Sequence, residues 1–541
     1  MKKLPLGIQT FKDIINGDYV YIDKTQYIYN LLNEYEFYFL SRPRRFGKSL
    51  LIDTVAEIFN GDAELFKGLW IYGSGYSFRK HPIIKLDMSN IPNDTPEILK
   101  YALSEELIYR AAKCDILLNG GEPGILFKRL IEKLYATYGE RAVVLIDEYD
   151  KPILDHIDDI DAAGANGKVL NGFYGVLKSM DPYLRFVFIT GVTKFTKTSV
   201  FSGLNNLKDI TMSESYAGIC GIPVNDLDRH FGDYIKLIST RNDAKWRERN
   251  YDKVKDGILA WYDGYSWDGE TKLLNPFSLL NSLSDQKFKR YWYATGTPTF
   301  LINMIKKKPE SYLNLKNLEI TEEMLDTFEI EKIEPEPLLF QTGYLTVKKA
   351  ADSSYAAGPP AYILDIPNHE VRDAFSMQIV SAFTESGDIK AGQAKMQIGA
   401  ALASGDLQKM LDILRGLFAS IPYELHVKEE AYYHSIFYAV MTLLGFDMDV
   451  EVSASRGRVD AVLELDDKVY VMEFKYKKCP SDINDEEKKA LFESALDEAM
   501  KQINDRGYCA KFAGVNKTIY KAAFAFLGRD NIEMRVDAAE S

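Results

Sequence analysis

A chain of 541 residues is too long for one ordinary hydrophobic core and implies about two to four domains. Its 46% hydrophobic and 13% aromatic content is that of folded protein throughout, and a net charge of −13 argues against a general electrostatic nucleic-acid binder while allowing a local basic patch. The four cysteines, Cys114, Cys220, Cys479 and Cys509, are far apart, with no CxxC pair and no histidine at zinc-ligand spacing. That argues against a disulfide scaffold or zinc site and leaves reduced, buried thiols as the expectation. The opening Met1-Lys2-Lys3-Leu4-Pro5 lacks the apolar segment of a signal peptide. No run reaches the ~18 to 20 apolar residues of a membrane span, so a cytoplasmic protein is expected.

In chain order, Asp18 to Lys24 alternates at a short strand's period, and Thr25 to Tyr35 has the spacing of an amphipathic helix. An apolar run from Tyr35 to Leu40 then meets Ser41-Arg42-Pro43-Arg44-Arg45-Phe46-Gly47-Lys48-Ser49 and the helical pattern that follows it to about Asn60. Strand, loop and helix around Gly-Lys-Ser form the context of a phosphate-binding P-loop. Backbone N–H groups at the helix N-terminus favour phosphate, Lys48 would reach the β/γ-phosphates, and the Ser49 hydroxyl would hold Mg²⁺. The pattern wants a glycine where Arg42 stands, and a helix start after a basic loop would explain the residues equally well.

His81 to Asp87 reads as a buried strand opened by Pro82, and residues 95 to 138 as two helices joined at Asn119-Gly120-Gly121-Glu122-Pro123. The second signal is Ala142-Val143-Val144-Leu145-Ile146-Asp147-Glu148-Tyr149-Asp150. This β-branched run suits a parallel strand covered on both faces, with its carboxylates at the ligand-binding edge. In this Walker B pattern Asp147 would belong to the Mg²⁺ shell, and Glu148 would orient or deprotonate the attacking water. Solvated acids also end ordinary strands, so the pairing with Gly-Lys-Ser about 100 residues earlier carries the argument. A helix from about Ala165 to Ser179 leads to a third strand, Leu184 to Thr190. In ATPases that insert such a strand its end senses the γ-phosphate, making Thr190 or Thr193 the candidate, although either threonine could simply cap the sheet.

The run Arg42 to Leu50, with Ile146-Asp147-Glu148-Tyr149-Asp150-Lys151-Pro152 and Thr190-Gly191-Val192-Thr193-Lys194, resembles the bacterial AAA-ATPase-like family of predicted ATPases. Its members read Arg-Pro-Arg-Arg-Phe-Gly-Lys-Ser at this place, so the absent glycine is also the family's habit. The resemblance implies an ATP site formed by Arg45, Phe46, Gly47, Lys48, Ser49, Leu50, Asp147 and Thr190, with Mg²⁺ at Ser49 and Asp147. Arg42, Arg44 and Arg45 would support phosphate binding.

From Ser213 to about Lys332 apolar residues recur at helical spacing, resembling the family's helical lid, with a tight aromatic and glycine loop at Trp261 to Gly269. Asn275-Pro276 and Thr297-Pro298 mark helix starts. The aromatics of this region suit packing, with base stacking the alternative. Gln341 to Val347 and Tyr362 to Pro367 read as two strands around the tip Asp352 to Pro360, a winged-helix-like hairpin whose tip has no Lys or Arg, so a structural or protein-contact role is expected. Asn368 opens a helical stretch that runs to about residue 418.

The last constellation is Gly457 to Leu463, the turn Asp466-Asp467, and Val469 to Tyr476. Both flanks alternate at period two, as an antiparallel hairpin requires, and Glu473 and Lys475 share one strand face. Asp460 and Glu473 would converge on one Mg²⁺, which would polarise a scissile phosphate, while Lys475 would position water or offset developing charge. This resembles the PD-(D/E)XK nuclease superfamily in its order helix, three strands, helix, strand: Glu430 to Leu444, Asp447 to Ser453 and the hairpin, Glu486 to Asn504, and Gly507 to Val515 or Ala522 to Leu527. Gln502 and Glu429 or Glu430 are further candidates, whereas His434 reads as an ordinary core or surface histidine. Residues 423 to 541 hold 16 Lys/Arg against 23 Asp/Glu, a balance of −7 that is unhelpful for holding a polyanion.

The expected fold is α/β throughout. A P-loop ATPase with a parallel sheet spans 1–212, a helical lid 213–335, a winged-helix-like hairpin and helical connector 336–418, and an α/β restriction-endonuclease-like domain 419–541. The expected function is ATP binding and hydrolysis coupled to Mg²⁺-dependent cleavage of phosphodiesters, with Glu148, Asp460, Glu473 and Lys475 catalytic and Ser49, Asp147, Asp460 and Glu473 on metal. Expected partners are ATP and a nucleic acid, DNA ahead of RNA, with no membrane and homo-oligomerisation open. The rival reading is an ATP-dependent switch or scaffold whose nuclease-like domain is inactive and only binds a partner or nucleic acid.

Overall fold

The computed structural model describes residues 1–195, 200–201, 204, 206–240, 250–292, 318–326, 334–351, 360–384, 387–419, 448–454, 457–465, 467–479, 483–505, 517–527 and 531–539. The described residues through Trp292 and those from Leu318 to Glu370 belong to one compact unit, and those from Val371 onward to a second.

The first unit is organised by a sheet of five parallel strands: β1 (Phe37–Ser41), β2 (Ile83–Asp87), β3 (Ala142–Asp147), β4 (Leu184–Gly191) and β5 (Lys208–Asp209). They lie in the order β2-β3-β4-β1-β5, so β4 is inserted between β1 and β3 as the sequence implied. Every residue of β1 and β3 is buried, which is why both read as unbroken apolar runs. Parallel pairing requires long crossovers, supplied by helices Lys48–Asn60, Pro96–Ala112, Pro123–Tyr138 and Ile160–Ser179. Local chemistry fixes their starts: Thr95 accepts from Ile98 N–H ahead of Pro96, and Asp159 accepts from Ala162 N–H.

One expected strand does not form. Within Asp18 to Lys24 only Tyr19 bridges, to Lys3, with Val20 N–H donating to Lys3 carbonyl at 2.8 Å. The Asp23 carboxylate instead accepts from Thr25 N–H and Thr25 Oγ1, turning the chain into helix Thr25–Glu34.

Downstream, a two-strand pair, β6 (Ile222–Pro223) and β7 (Leu273–Leu274), joins helices Leu227–Ser239, Tyr251–Tyr262 and Pro276–Asp285 in one apolar cluster that includes Leu227, Phe231, Ile258, Tyr262 and Leu279. Asn275 caps the last helix by accepting from Ser278 N–H at 3.1 Å, as its Asn-Pro signature suggested. Trp261 to Gly269 includes the expected tight turn: Tyr265 and Leu273 bridge, and Asp268 accepts from the N–H groups of Glu270 and Thr271. The hairpin gains a third strand, giving β8 (Leu318–Thr321), β9 (Thr346–Ala350) and β10 (Ala361–Asp365) in the antiparallel order β8-β10-β9.

Two expectations are corrected here. β8 lies in a stretch whose apolar spacing reads as helical, but its residues pair with β10. Gln341 and Thr342 close a helix, Pro335–Thr342, rather than opening a strand. Gly343 at φ +91° ends that helix, a conformation that suits glycine and leaves no room for a Cβ, which would lie 2.8 Å from Pro43. The expected helix start at Thr297 and the tip residues 352–359 lie outside the described residues.

Helices His369–Thr384, Gly387–Ser404 and Leu407–Ala419 follow. The second unit's sheet comprises β11 (Met448–Ala454), β12 (Gly457–Glu464), β13 (Lys468–Lys477), β14 (Thr518–Leu527) and β15 (Asn531–Ala539), paired in sequence order. β12 and β13 are the expected antiparallel hairpin, β14 runs parallel to β13, and β15 adds an unforeseen antiparallel edge. Helix Asp485–Asp505 covers the sheet by burying Phe492, Leu496, Ala499 and Ile503 against Val462, Val471 and Ala523. The expected first helix, Glu430 to Leu444, lies outside the described residues. Cys114, Cys220 and Cys479 are free thiols, of which only Cys220 is buried, and Cys509 is outside the described residues. Among the described residues no helix is long and apolar enough to cross a membrane.

Candidate functional site

The parallel register brings the ends of β1, β4 and β3 side by side: Leu40 faces Thr190, Ser41 faces Gly191, and Ile189 faces Ile146 one residue before Asp147. Strand ends of this kind are where an open α/β sheet binds its ligand. The chain leaves β1 through Arg42 to Phe46, takes left-handed conformations at Arg45 (φ 64°) and Gly47 (φ 98°), and enters helix Lys48–Asn60. Lys48 is buried, and its ammonium donates to the carbonyls of Arg42 at 2.8 Å and Pro43 at 3.0 Å. A cavity of about 100 Å³ adjoins this helix start, lined by Val20, Ile22, Gly47, Cys220, Ile222 and Pro276 among others.

Asp147 closes β3 as a buried residue, and its Oδ1 accepts from Thr190 Oγ1 at 2.6 Å and Glu148 N–H at 3.1 Å. Glu148 follows at φ +51°, a strained conformation for a non-glycine residue. Burial raises its carboxyl pKa, against the opposing pull of Lys48, with Asp147 and Asp150 adding to the rise. Asp150 is buried and accepts from Val192 N–H (3.0 Å), Thr193 N–H (2.6 Å) and Thr193 Oγ1 (2.6 Å). Tyr149 completes a clip, its N–H donating to the Thr190 carbonyl and its hydroxyl to the Thr193 carbonyl. The loop after β4 is thereby fixed against the end of β3.

In the second unit, the β12–β13 register runs from Glu464 opposite Val469 to Ala461 opposite Met472, which carries Asp460 beside Glu473. Asp460 Oδ2 accepts from Phe474 N–H at 2.9 Å, and Lys475 Nζ lies 3.3 Å from Glu473 Oε1 and 3.1 Å from the Phe474 carbonyl. Glu473 is fully buried and its Oε2 has no hydrogen-bond partner. Burial first, and the Asp460 carboxylate second, push its pKa up to about 7. Among the described residues no group of three or more His, Cys, Asp and Glu side chains is placed to hold a metal. Two close carboxylates with an orphaned buried oxygen nevertheless fit a hard divalent cation, which would relieve both the repulsion and the unmet acceptor.

Comparison with known proteins matches a family model to each of the two regions. A model described as predicted AAA-ATPase matches residues 5–201, and the PD-(D/E)XK nuclease superfamily model matches residues 428–535. A protein of Azotobacter chroococcum mcd 1, described as an uncharacterized protein in the vnfD 5′ region, is 34% identical over 531 residues, spanning 97% of this chain and 96% of its own. The chain belongs to the AAA-ATPase-like family. Its C-terminal domain is of the PD-(D/E)XK nuclease superfamily.

Within this AAA-ATPase-like protein, Lys48, Asp147, Glu148 and Thr190 gather at one sheet edge beside Gly47, Ser49 and Leu50 of the helix start. Phe46 is buried, with its ring edge-on to Tyr265 and Trp267, and Arg45 is exposed over the Phe277 ring. Asp460, Glu473 and Lys475 gather on the hairpin, whereas Gln502 is half-buried in the last turn of its helix. Glu429, Glu430 and His434 lie outside the described residues.

The expectation that Arg42 supports phosphate is corrected. Arg42 is fully buried: Nη1 donates to the carbonyls of Ser41 (2.8 Å) and Thr211 (2.9 Å), Nη2 donates to Tyr216 (3.4 Å), and the guanidinium stands 4.0 Å from the Trp267 ring centroid. Burial lowers its pKa to about 10. The arginine in the glycine position is thus a brace that ties the loop to residues some 170 positions away. Restoring the glycine, Arg42→Gly, is expected to destabilise the chain by on the order of 3 kcal/mol, from unpaired carbonyls, lost stacking and a void. A lowered thermal midpoint with weaker ATP binding is the expected readout, and an unchanged midpoint would contradict the brace. The partners of Asp150 and Trp267 and the lining of the cavity are not legible in the sequence: Asp150 belongs to the acidic run after β3, but its partners become visible only through the β3–β4 pairing.

Proposed function

We propose that this protein binds and hydrolyses ATP at the P-loop edge of the first unit and cleaves nucleic-acid phosphodiesters at Asp460, Glu473 and Lys475, with ATP binding gating cleavage through movement of the helical lid. The observation that carries the first half is the convergence of Lys48, Asp147, Glu148 and Thr190 on the ends of three adjacent parallel strands. Lys48 and the N–H groups at the helix start bind the phosphates, and the apolar cavity next to Gly47 is the seat for the base. Ser49 and Asp147 would hold Mg²⁺, Thr190 keeps the Asp147 carboxylate oriented, and Glu148 takes the proton of the attacking water. In the second unit Asp460 and Glu473 would hold Mg²⁺, which would supply polarisation of the scissile phosphate and activation of water. Lys475 positions that water and offsets charge developing on the phosphate.

Parallel measurement of ATP binding and of Mg²⁺-dependent DNA cleavage, with and without ATP, tests the coupling. Lys48→Ala is expected to weaken ATP binding by about 10²-fold, the loss of a charge-assisted contact to phosphate, and to make cleavage indifferent to ATP. Cleavage that responds equally to ATP in wild type and Lys48→Ala would sink the gating. The acidic balance of residues 423 to 541 favours a second reading, an ATP-dependent switch whose nuclease-like domain only binds a partner, and ATP binding without cleavage of DNA or RNA would establish it.

A further inference from the structure

Behind the P-loop, a buried tryptophan joins a backbone carbonyl to a side-chain carboxylate far away in sequence. The Trp292 indole N–H donates to the Arg44 carbonyl at 3.1 Å, and its backbone N–H donates to Glu370 Oε1 at 2.7 Å. Trp292 is only 3% exposed and Glu370 only 1%. The indole is edge-on to Tyr344 at 5.2 Å, next to Gly343, whose left-handed backbone abuts Pro43 with no space for a side chain. Pro43 and Arg44 are therefore held from behind by Trp292 and Gly343. On the other side, Lys48 donates to the carbonyls of Arg42 and Pro43. Glu370 lies in the first turn of helix His369–Thr384, whose residues from Val371 on belong to the second unit.

We propose that Trp292 is the coupling residue of this protein, converting the position of the P-loop carbonyls into the position of helix His369–Thr384. The inference rests on the P-loop being an ATP site. A phosphate that engages the Lys48 ammonium competes with the Arg42 and Pro43 carbonyls for its N–H donors. Those carbonyls must then turn to other partners, and the adjoining Arg44 peptide turns with them. The Arg44 carbonyl is the acceptor for Trp292, so its displacement changes the indole's seat. Because Trp292 is packed on all sides, the change passes to the backbone N–H held by Glu370 rather than being absorbed by a loose side chain. A carboxylate anchored in the first turn of a helix moves that helix as a rigid element. Each ligand state thus makes different contacts with one connected element, as coupling between sites requires.

The test uses the full-length chain and hydrogen–deuterium exchange of peptides covering 369–384, with and without ATP and Mg²⁺, alongside a direct measurement of ATP binding. Wild type is expected to show exchange altered about fivefold or more by ATP. In Trp292→Phe, which keeps a ring but removes the indole N–H, ATP affinity is expected to stay within about threefold while the ATP-dependent exchange difference is lost. Glu370→Gln, nearly isosteric, is expected to reduce the same difference and serves as the second variant where Trp292→Phe lowers the thermal midpoint. ATP binding to wild type with no change over 369–384, or a full change in both variants, overturns the coupling and leaves the ATP site standing. Failure of wild type to bind ATP overturns the site itself and the coupling with it.

Discussion

Glu473→Gln is expected to lower Mg²⁺-dependent cleavage by on the order of 10³-fold and, in EDTA at pH 8, to make the protein more stable by about 1–3 kcal/mol. Both effects come from the same feature. Glu473 is fully buried, its Oε2 meets no donor, and burial together with the Asp460 carboxylate pushes its pKa to about 7 from an ordinary 4.5. Between those values the folded chain keeps a proton that the unfolded chain has released, so stability falls as pH rises through that window and stays low above it. Glutamine never ionises, so the variant avoids the loss. Glu370 is also pushed up to about 7 by burial, but it is present in both proteins and cancels in the comparison. Urea unfolding at pH 5 and pH 8 in EDTA should therefore show a gap between variant and wild type at pH 8 that closes at pH 5. Adding Mg²⁺ at pH 8 should narrow it from the wild-type side, because only an ionised Glu473 pays back its burial by ligating the cation. A variant that cleaves like wild type would remove Glu473 from the metal site, and a gap independent of pH would remove the assigned cause.

Features determined by a few neighbouring residues were legible in the sequence. The run Ala142 to Asp147 reads as a strand covered on both faces and forms one, and the alternation on either side of Asp467 reads as a hairpin and folds back as one, so the elements that carry Asp147, Asp460 and Glu473 were legible. What could not be read was set by partners distant in sequence. The alternation of Asp18 to Lys24 promised a strand, but Tyr19 bridges only to Lys3, and Asp23 is used in the turn before the next helix. Leu318 to Thr321 shows helical spacing in its context and becomes a strand because β10 lies beside it. Arg42 in a phosphate loop reads as a phosphate ligand, and nothing local reveals that Thr211, Tyr216 and Trp267 claim its guanidinium. The cavity beside Gly47 is similarly non-local, since Val20, Cys220 and Pro276 meet there only after the sheet and the downstream helices have assembled.

Glu148→Gln is expected to slow ATP hydrolysis by about 10²- to 10³-fold, the usual contribution of a positioned general base, with ATP affinity held within a few-fold. Glutamine keeps the length and amide-plane shape of the side chain, so the backbone at φ +51° carries the same local cost in both proteins and the fold is not the variable. What changes is proton affinity. Burial lifts the Glu148 carboxyl pKa while Lys48 restrains the rise, which makes the ionised group a stronger base than a solvated carboxylate. Asp147 cannot substitute, because its Oδ1 already receives the Thr190 hydroxyl and the Glu148 N–H, and Asp150 is bound to Val192 and Thr193. Single-turnover hydrolysis measured beside equilibrium ATP binding separates the two quantities. Loss of hydrolysis with binding intact is the expected split. Equal loss of both would make Glu148 a structural support of the loop, and unchanged hydrolysis would move the base to another residue. If the variant also cleaves DNA in the presence of ATP as wild type does, ATP occupancy rather than turnover is what gates the second unit, and the route through Arg44, Trp292 and Glu370 needs only the bound phosphate to operate.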